Sequence, residues 1–183
     1  MKKTILTFGL ISAAISSLMM VATVPFTDKI GFDKSEYLGY TVIVASFLMV
    51  YFGIRSYRDN FSHGQITFAK AFAVGLAITL ISCIGYVLTW EVLYFHFLHG
   101  FMDKYSAYTV QKLQASGASL EAIQAQAQQM ARFKEMYDNP LSNAAITFIE
   151  PFPIGLAITL VSAVVLRRKP GSQTNQSTAL GSN

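Results

Sequence analysis

Charge is scarce in this 183-residue chain: Asp, Glu, Lys and Arg together make up 13% of it, about half the ~25% of a water-soluble domain. Cysteine is scarcer still. The single Cys83 stands in an apolar run, which excludes an intrachain disulfide and any cysteine-pair metal or redox site. There is no Gly-rich phosphate loop, no nucleophile elbow and no HExxH, so the standard catalytic signatures are missing. The net charge of +4 and the pI of about 9.2 raise the question of nucleic acid. The basic residues, however, flank apolar segments instead of forming a groove-lining stripe, and nucleic acid is excluded as a partner.

Apolar residues are what the chain has, at 52% with a mean hydropathy of +0.41. A bilayer core about 30 Å thick takes roughly 20 such residues as one helix. Four segments meet that length, at about residues 4–24, 38–54, 71–94 and 145–166. Pro25 closes the first, Ser35 is the expected N-cap of the second, and Arg167, Arg168 and Lys169 stop the fourth. Lys2 and Lys3 ahead of an apolar run resemble a signal peptide. That run, at about 20 residues, exceeds the usual ~7–15, and no small-x-small site follows it, so an uncleaved helix is expected.

Lys and Arg set the orientation. One side of the four spans carries Lys2, Lys3, Arg55, Arg58, Lys70, Arg167, Arg168 and Lys169, opposed by Asp59 alone. The other side carries six Lys and Arg against nine carboxylates. The positive-inside rule makes the first side cytoplasmic, with both chain termini on it.

The only sizeable stretch outside the spans, about residues 100–143, reads as an external helical hairpin. Gly117 stops one helix, Ser119 caps the next, and Asn139-Pro140 ends it. Leu120, Ile123, Ala127, Met130 and Tyr137 recur at helical spacing, which predicts a packed face. The tail, 170–183, is Gly, Ser, Thr, Gln and Asn and is expected to be disordered. The fold class that follows is an all-α membrane protein. Four transmembrane helices make up residues 1–169, with the hairpin between the third and fourth.

An internal repeat lies within two of the spans. Residues 66–82 (ITFAKAFAVGLAITLIS) and 146–162 (ITFIEPFPIGLAITLVS) are identical at eleven of seventeen positions. The helices run in opposite directions, so the repeat is inverted. Gly75, Thr79 and Ser82, and likewise Gly155, Thr159 and Ser162, form small-residue faces on which two backbones approach closely. Each Thr hydroxyl is expected to bond the carbonyl four residues back, with third and fourth helices crossing at Thr79, Ser82, Thr159 and Ser162.

Other polar residues are candidates for binding. Glu150 begins Glu150-Pro151-Phe152-Pro153 inside an apolar stretch, where a carboxylate is costly. It aligns with Lys70 in the repeat, so it is expected at the outer interface, partly accessible, with both prolines in a first helical turn. Glu91, His96 and His99 lie where the third helix leaves the membrane. His96, His99 and Asp103 are spaced to share a helix face, yet Trp90, Tyr94, Phe95 and Phe97 mark the stretch as an aromatic belt; no metal is assigned there. Arg55, Arg58 and Lys70 bracket a short turn and are expected to anchor lipid phosphates. No residue is assigned a catalytic role and no cofactor is expected.

Tyr51-Phe52-Gly53-Ile54-Arg55-Ser56-Tyr57-Arg58-Asp59, then Gly64-Gln65-Ile66-Thr67-Phe68 and the Gly75 helix, resemble a bacterial membrane family, domain of unknown function 4199. Trp90-Glu91, the external insert, Asn139-Pro140, and Glu150 ahead of Pro153-Ile154-Gly155 extend the resemblance to about Lys169. It implies a four-helix protein of the bacterial inner membrane and no particular activity. It also marks Arg55, Arg58, Glu91 and Glu150 as the positions to test first. Three functions fit the residues. The first is a non-catalytic interaction or scaffold protein, embedded in lipid and docking a protein partner or second copy through the hairpin. The second is a small oligomeric transporter or channel subunit. The third is a membrane enzyme working at the outer interface through Glu91 and Glu150.

Overall fold

The computed structural model describes residues 2–168; the tail from 170 on, expected to be disordered, lies outside them. Four helical segments are long and apolar enough to cross a membrane: Lys2–Ile30, Phe32–Phe61, Phe68–His96 and Pro140–Leu166. At a rise of ~1.5 Å per residue each spans roughly 40 Å or more, the hydrocarbon core plus part of both interfaces.

The first segment is α1 (Lys2–Thr23), a 3-10 turn at Val24–Phe26 carrying Pro25, and the short α2 (Thr27–Ile30). Gly31, at φ +90°, turns the chain into α3 (Phe32–Phe61). A tight turn with His63 and Gly64 at positive φ leads to α4 (Phe68–His96), where the Thr67 side chain caps the Lys70 N–H. Outside the spans come α5 (Phe101–Ala115) and α6 (Leu120–Tyr137). Gly117 at φ +77° breaks them apart, and the Ser119 hydroxyl caps α6 at Ala122 N. Asn139 then caps α7 (Pro140–Ile149), and the fourth span resumes as α8 (Phe152–Leu166).

Helix α4 is the centre of the bundle, packing on α1, α3 and α8, while α3 also packs on α1 and α8. Phe47, Val50, Ile54, Val74, Ile78 and Ala163 are nearly inaccessible at their junction. The distribution of polarity is the reverse of a water-soluble bundle. Ser12, Ser46, Thr79, Ser82, Thr159 and Ser162 are buried, while Leu18, Leu88, Val161 and Val165 are 61–70% exposed. Hydroxyls turned inward and branched hydrocarbon turned outward is the arrangement a lipid solvent selects. The protein is a transmembrane protein.

Four expectations change. Ser35 does not cap α3. The helix begins at Phe32, because Gly31 makes the reversal and its carbonyl accepts from Ser35 N at 3.0 Å. The fourth span starts ten residues before Glu150, at Pro140, and breaks at Glu150-Pro151. Pro151 and Pro153 have no N–H, so the Thr147 and Ile149 carbonyls lose their helical partners there. Leu120 is 71% exposed and Ala127 is exposed as well, so the expected α6 face packs only through the half-buried Ile123, Met130 and Tyr137. Finally, α4 ends at His96 and Gly100 takes φ +73° before α5, so His96, His99 and Asp103 do not share one continuous helical face.

Candidate binding cleft

The repeated helices meet through their small residues. The Thr79 and Thr159 hydroxyls are 2.9 Å apart, and Thr79 also donates to the Gly155 carbonyl at 3.4 Å. The expected bond back to Gly75 is replaced by this one across the helix pair. A Cβ on Gly75 would lie 2.8 Å from Thr159 Cγ2, and one on Gly155 would lie 2.5 Å from Thr79 Cγ2. This reciprocity requires α4 and α8 to be antiparallel. Ser82 does not join them. It faces α1, with its hydroxyl 2.8 Å from that of Ser12, which in turn donates to the Ser46 carbonyl at 2.9 Å. Ser162 is buried without sharing in the threonine pair. Sequence reading passed over Ser12, although Gly9, Ser12, Ala13 and Ser16 repeat at small-residue helical spacing.

At the end of the bundle where the termini lie, Ile66 and Arg168 exchange both backbone hydrogen bonds, at 3.1 and 2.9 Å. Arg58 is drawn into the same end: its guanidinium bonds Asp59 at 2.7 Å and reaches the Leu166 carbonyl at 3.5 Å. Arg55 is exposed beside Asp59, and the Lys70 ammonium stands 5.9 Å from the centre of the Tyr57 ring.

The other end holds the cleft. Helix α8 packs on both α3 and α4, whereas α7, beyond the proline break, packs on α4 and α6. The wedge this opens between α3 and α7 is a cavity of about 440 Å³. Its floor and one side are apolar, with Met19, Met20, Val42 and Ile43. Aromatic rings line much of the rest, among them those of α3 (Tyr40), α4 (Tyr86, Trp90), α5 (Phe101, Tyr105) and α6 (Tyr137).

Two carboxylates, Glu36 and Glu150, open into this space, and no Lys, Arg or His among the described residues lines it. Glu150 sits at the break between α7 and α8, exposed to the cleft, and accepts a hydrogen bond from the Tyr86 hydroxyl at 3.2 Å. Trp90 is 9% exposed and stands edge-on to Tyr137, with ring centres 6.4 Å apart. The Ser35 hydroxyl, also in the lining, has no hydrogen-bond partner among the described residues. Burial raises the Tyr137 hydroxyl above the ordinary phenol range.

Of the candidate polar residues, Glu150 alone reaches the cleft. Glu91 is half-buried outside the lining, one of its carboxylate oxygens lacking a hydrogen-bond partner, and His96 and His99 are exposed. Sequence reading missed Glu36, which looks like an ordinary acidic residue near a helix start, and Tyr40 and Tyr86, which look like lipid-facing aromatics.

Helix α5 closes the cleft from above. Phe32 packs against Phe101, Tyr105 and Tyr108, with ring centres 5.0–5.9 Å apart. Three exposed ion pairs, Lys104–Asp28, Lys112–Asp33 and Lys134–Asp103, tie α5 to the α2–α3 corner and to α6.

The family model described as protein of unknown function (DUF4199) matches residues 7–168. The chain belongs to the DUF4199 family. No curated protein and no solved structure matches it. The DUF4199 match takes in all the cleft-lining residues as well as the threonine pair.

Proposed function

We propose that this DUF4199 protein is a non-catalytic binding protein of the bacterial inner membrane. Both chain ends lie in the cytoplasm, α5 and α6 lie outside, and the cleft beneath α5 takes a small ligand. The observation that carries the reading is one 440 Å³ aromatic cavity with the Glu36 and Glu150 carboxylates in its wall. A carboxylate at membrane depth is costly. A ligand that meets it offsets that cost, and the size and apolar lining are those of a small-molecule site. Glu150 precedes Thr159 by nine residues, about 13.5 Å along a helix. With the threonine crossing at mid-depth, the cleft opens near the outer edge of the hydrocarbon.

Lipid tails contact the exposed Leu and Val flanks, and Arg55, Arg58 and Lys70 meet lipid phosphates at the cytoplasmic end. The α5–α6 unit, with Leu120 exposed, is the surface for a protein partner or a second copy. A transport path at mid-depth has less support, because the Thr79 and Thr159 hydroxyls are fully buried and spent on each other. An enzyme acting through Glu91 and Glu150 has less support too, because Glu91 does not line the cleft that Glu150 faces.

Gly39 provides the test. It lies in the cleft wall on α3, and a Cβ there would have nothing within 4 Å. Gly39→Phe should therefore narrow the cleft without disturbing the fold. Protein purified in a non-ionic detergent should carry a small molecule visible by native mass spectrometry, and the Gly39→Phe protein should not. Equal occupancy in both would remove the cleft as the site.

A further inference from the structure

Among the described residues the cleft has two negative groups, many aromatic rings and no positive group. Glu36 and Glu150 come from α3 and from the α7–α8 break, far apart in sequence, and converge on one apolar volume. A carboxylate at membrane depth is an attractive counter-charge for a cation and a repulsive one for an anion. Ring faces such as those of Tyr40, Tyr86 and Trp90 attract a desolvated cation through their quadrupoles, Trp most strongly. The apolar floor at Met20 and Ile43 demands a hydrocarbon body, which excludes a bare metal ion as the natural occupant. Among the described residues no group of three or more His, Cys, Asp or Glu side chains is placed to hold a metal ion.

We infer that the ligand of this cleft is an amphiphilic organic cation, an amine or quaternary ammonium group on a hydrocarbon body, held by the Glu150 carboxylate among the aromatic rings. This rests on the reading of the cleft as a binding site. The Tyr86 hydroxyl, donating to one Glu150 oxygen, fixes the carboxylate and leaves its other oxygen to the ligand. The body lies against Met20 and Ile43, and Trp90 stands beside it.

Trp90 is the only tryptophan in the chain, so its fluorescence reports occupancy directly. Three probes share one chain length and differ in charge: octylammonium, octanol and octanoate, each titrated into the purified full-length protein in non-ionic micelles. Octylammonium should shift Trp90 emission with a Kd about tenfold or more below that of octanol, and octanoate should be weakest. Glu150→Gln keeps an acceptor for Tyr86 and removes the charge. It should bring octylammonium to within about twofold of octanol while octanol binding holds. Equal affinities for all three probes, abolished by Gly39→Phe, would overturn the cation and leave the cleft standing. A Trp90 response that is absent for all three, or unchanged by Gly39→Phe, would overturn the cleft itself. A preference for octylammonium that survives both Glu150→Gln and Glu36→Gln would assign the selectivity to the micelle surface and overturn the inference.

Discussion

The hydroxyls of Thr79 and Thr159, 80 residues apart in the chain, are 2.9 Å from each other at the crossing of α4 and α8. Each threonine is pressed against the glycine that precedes the other by four residues, Thr79 on Gly155 and Thr159 on Gly75. The two glycines make this approach possible, since lipid offers no hydrophobic drive and close backbone packing must hold the pair.

Gly155→Ala should be the more damaging of two glycine substitutions. Its Cβ would meet Thr79 Cγ2 at 2.5 Å and the Phe47 ring at 2.7 Å, both deep in the core. A loss of about 1–3 kcal/mol is expected, measured by unfolding in mixed micelles. Gly39→Ala, with open space around it, should be neutral or stabilise by a few tenths.

The threonine pair itself should show modest coupling. A double-mutant cycle with Thr79→Val and Thr159→Val should give about 0.6 kcal/mol, with about 1.7 as the ceiling for such bonds. Zero coupling would mean that the hydroxyls find equal partners elsewhere.

Docking of α5 on the α2–α3 corner should loosen in strong base. The hydrogen bond to Asp33 holds the Lys112 ammonium above the ordinary lysine range. A raised lysine stabilises fully below its unfolded value, near ~10.4, and the contribution is lost as pH climbs through the raised folded value. A spin label at the exposed Gln111 should therefore gain mobility only above that range. An earlier gain, near neutral pH, would contradict the ion pairs.

The orientation is open to a direct check. In a Cys83→Ala background, Ala127→Cys on α6 should react with an impermeant thiol reagent added to intact cells. Asn60→Cys, at the end of α3, should react only after the membrane is permeabilised. The reverse pattern would invert the charge assignment.

Much of the bundle was legible because a lipid-spanning helix needs length and apolarity, which any window along the chain reveals. The threonine crossing was legible too, because Gly75-Thr79 and Gly155-Thr159 repeat in the same frame. Ser82 repeats in that frame but faces α1, since the seventh position has rotated off the contact and Ser12 is there to receive it. Neither the entry to α3 nor the start of the fourth span was placed correctly. A helix can begin at a glycine as readily as at a serine, and although Pro151 and Pro153 do stand at the first turn of α8, nothing in them announces that α7 precedes it. Of the cleft, Glu150 alone was legible, as a costly carboxylate in an apolar stretch. Glu36, Tyr86 and Glu150 belong to three spans, and the packing of α7 on α4 and α6 brings them to a common volume.

The reciprocal fit at the crossing also constrains how the two halves of the repeat can diverge. A larger residue at 75 requires a smaller one at 159, and the same holds for 155 and 79. Across descendants of this chain, substitutions should travel in those crossed pairs and not between a position and its own repeat copy. The symmetry that set the two helices against each other would then be inherited as a record of mutual exclusion.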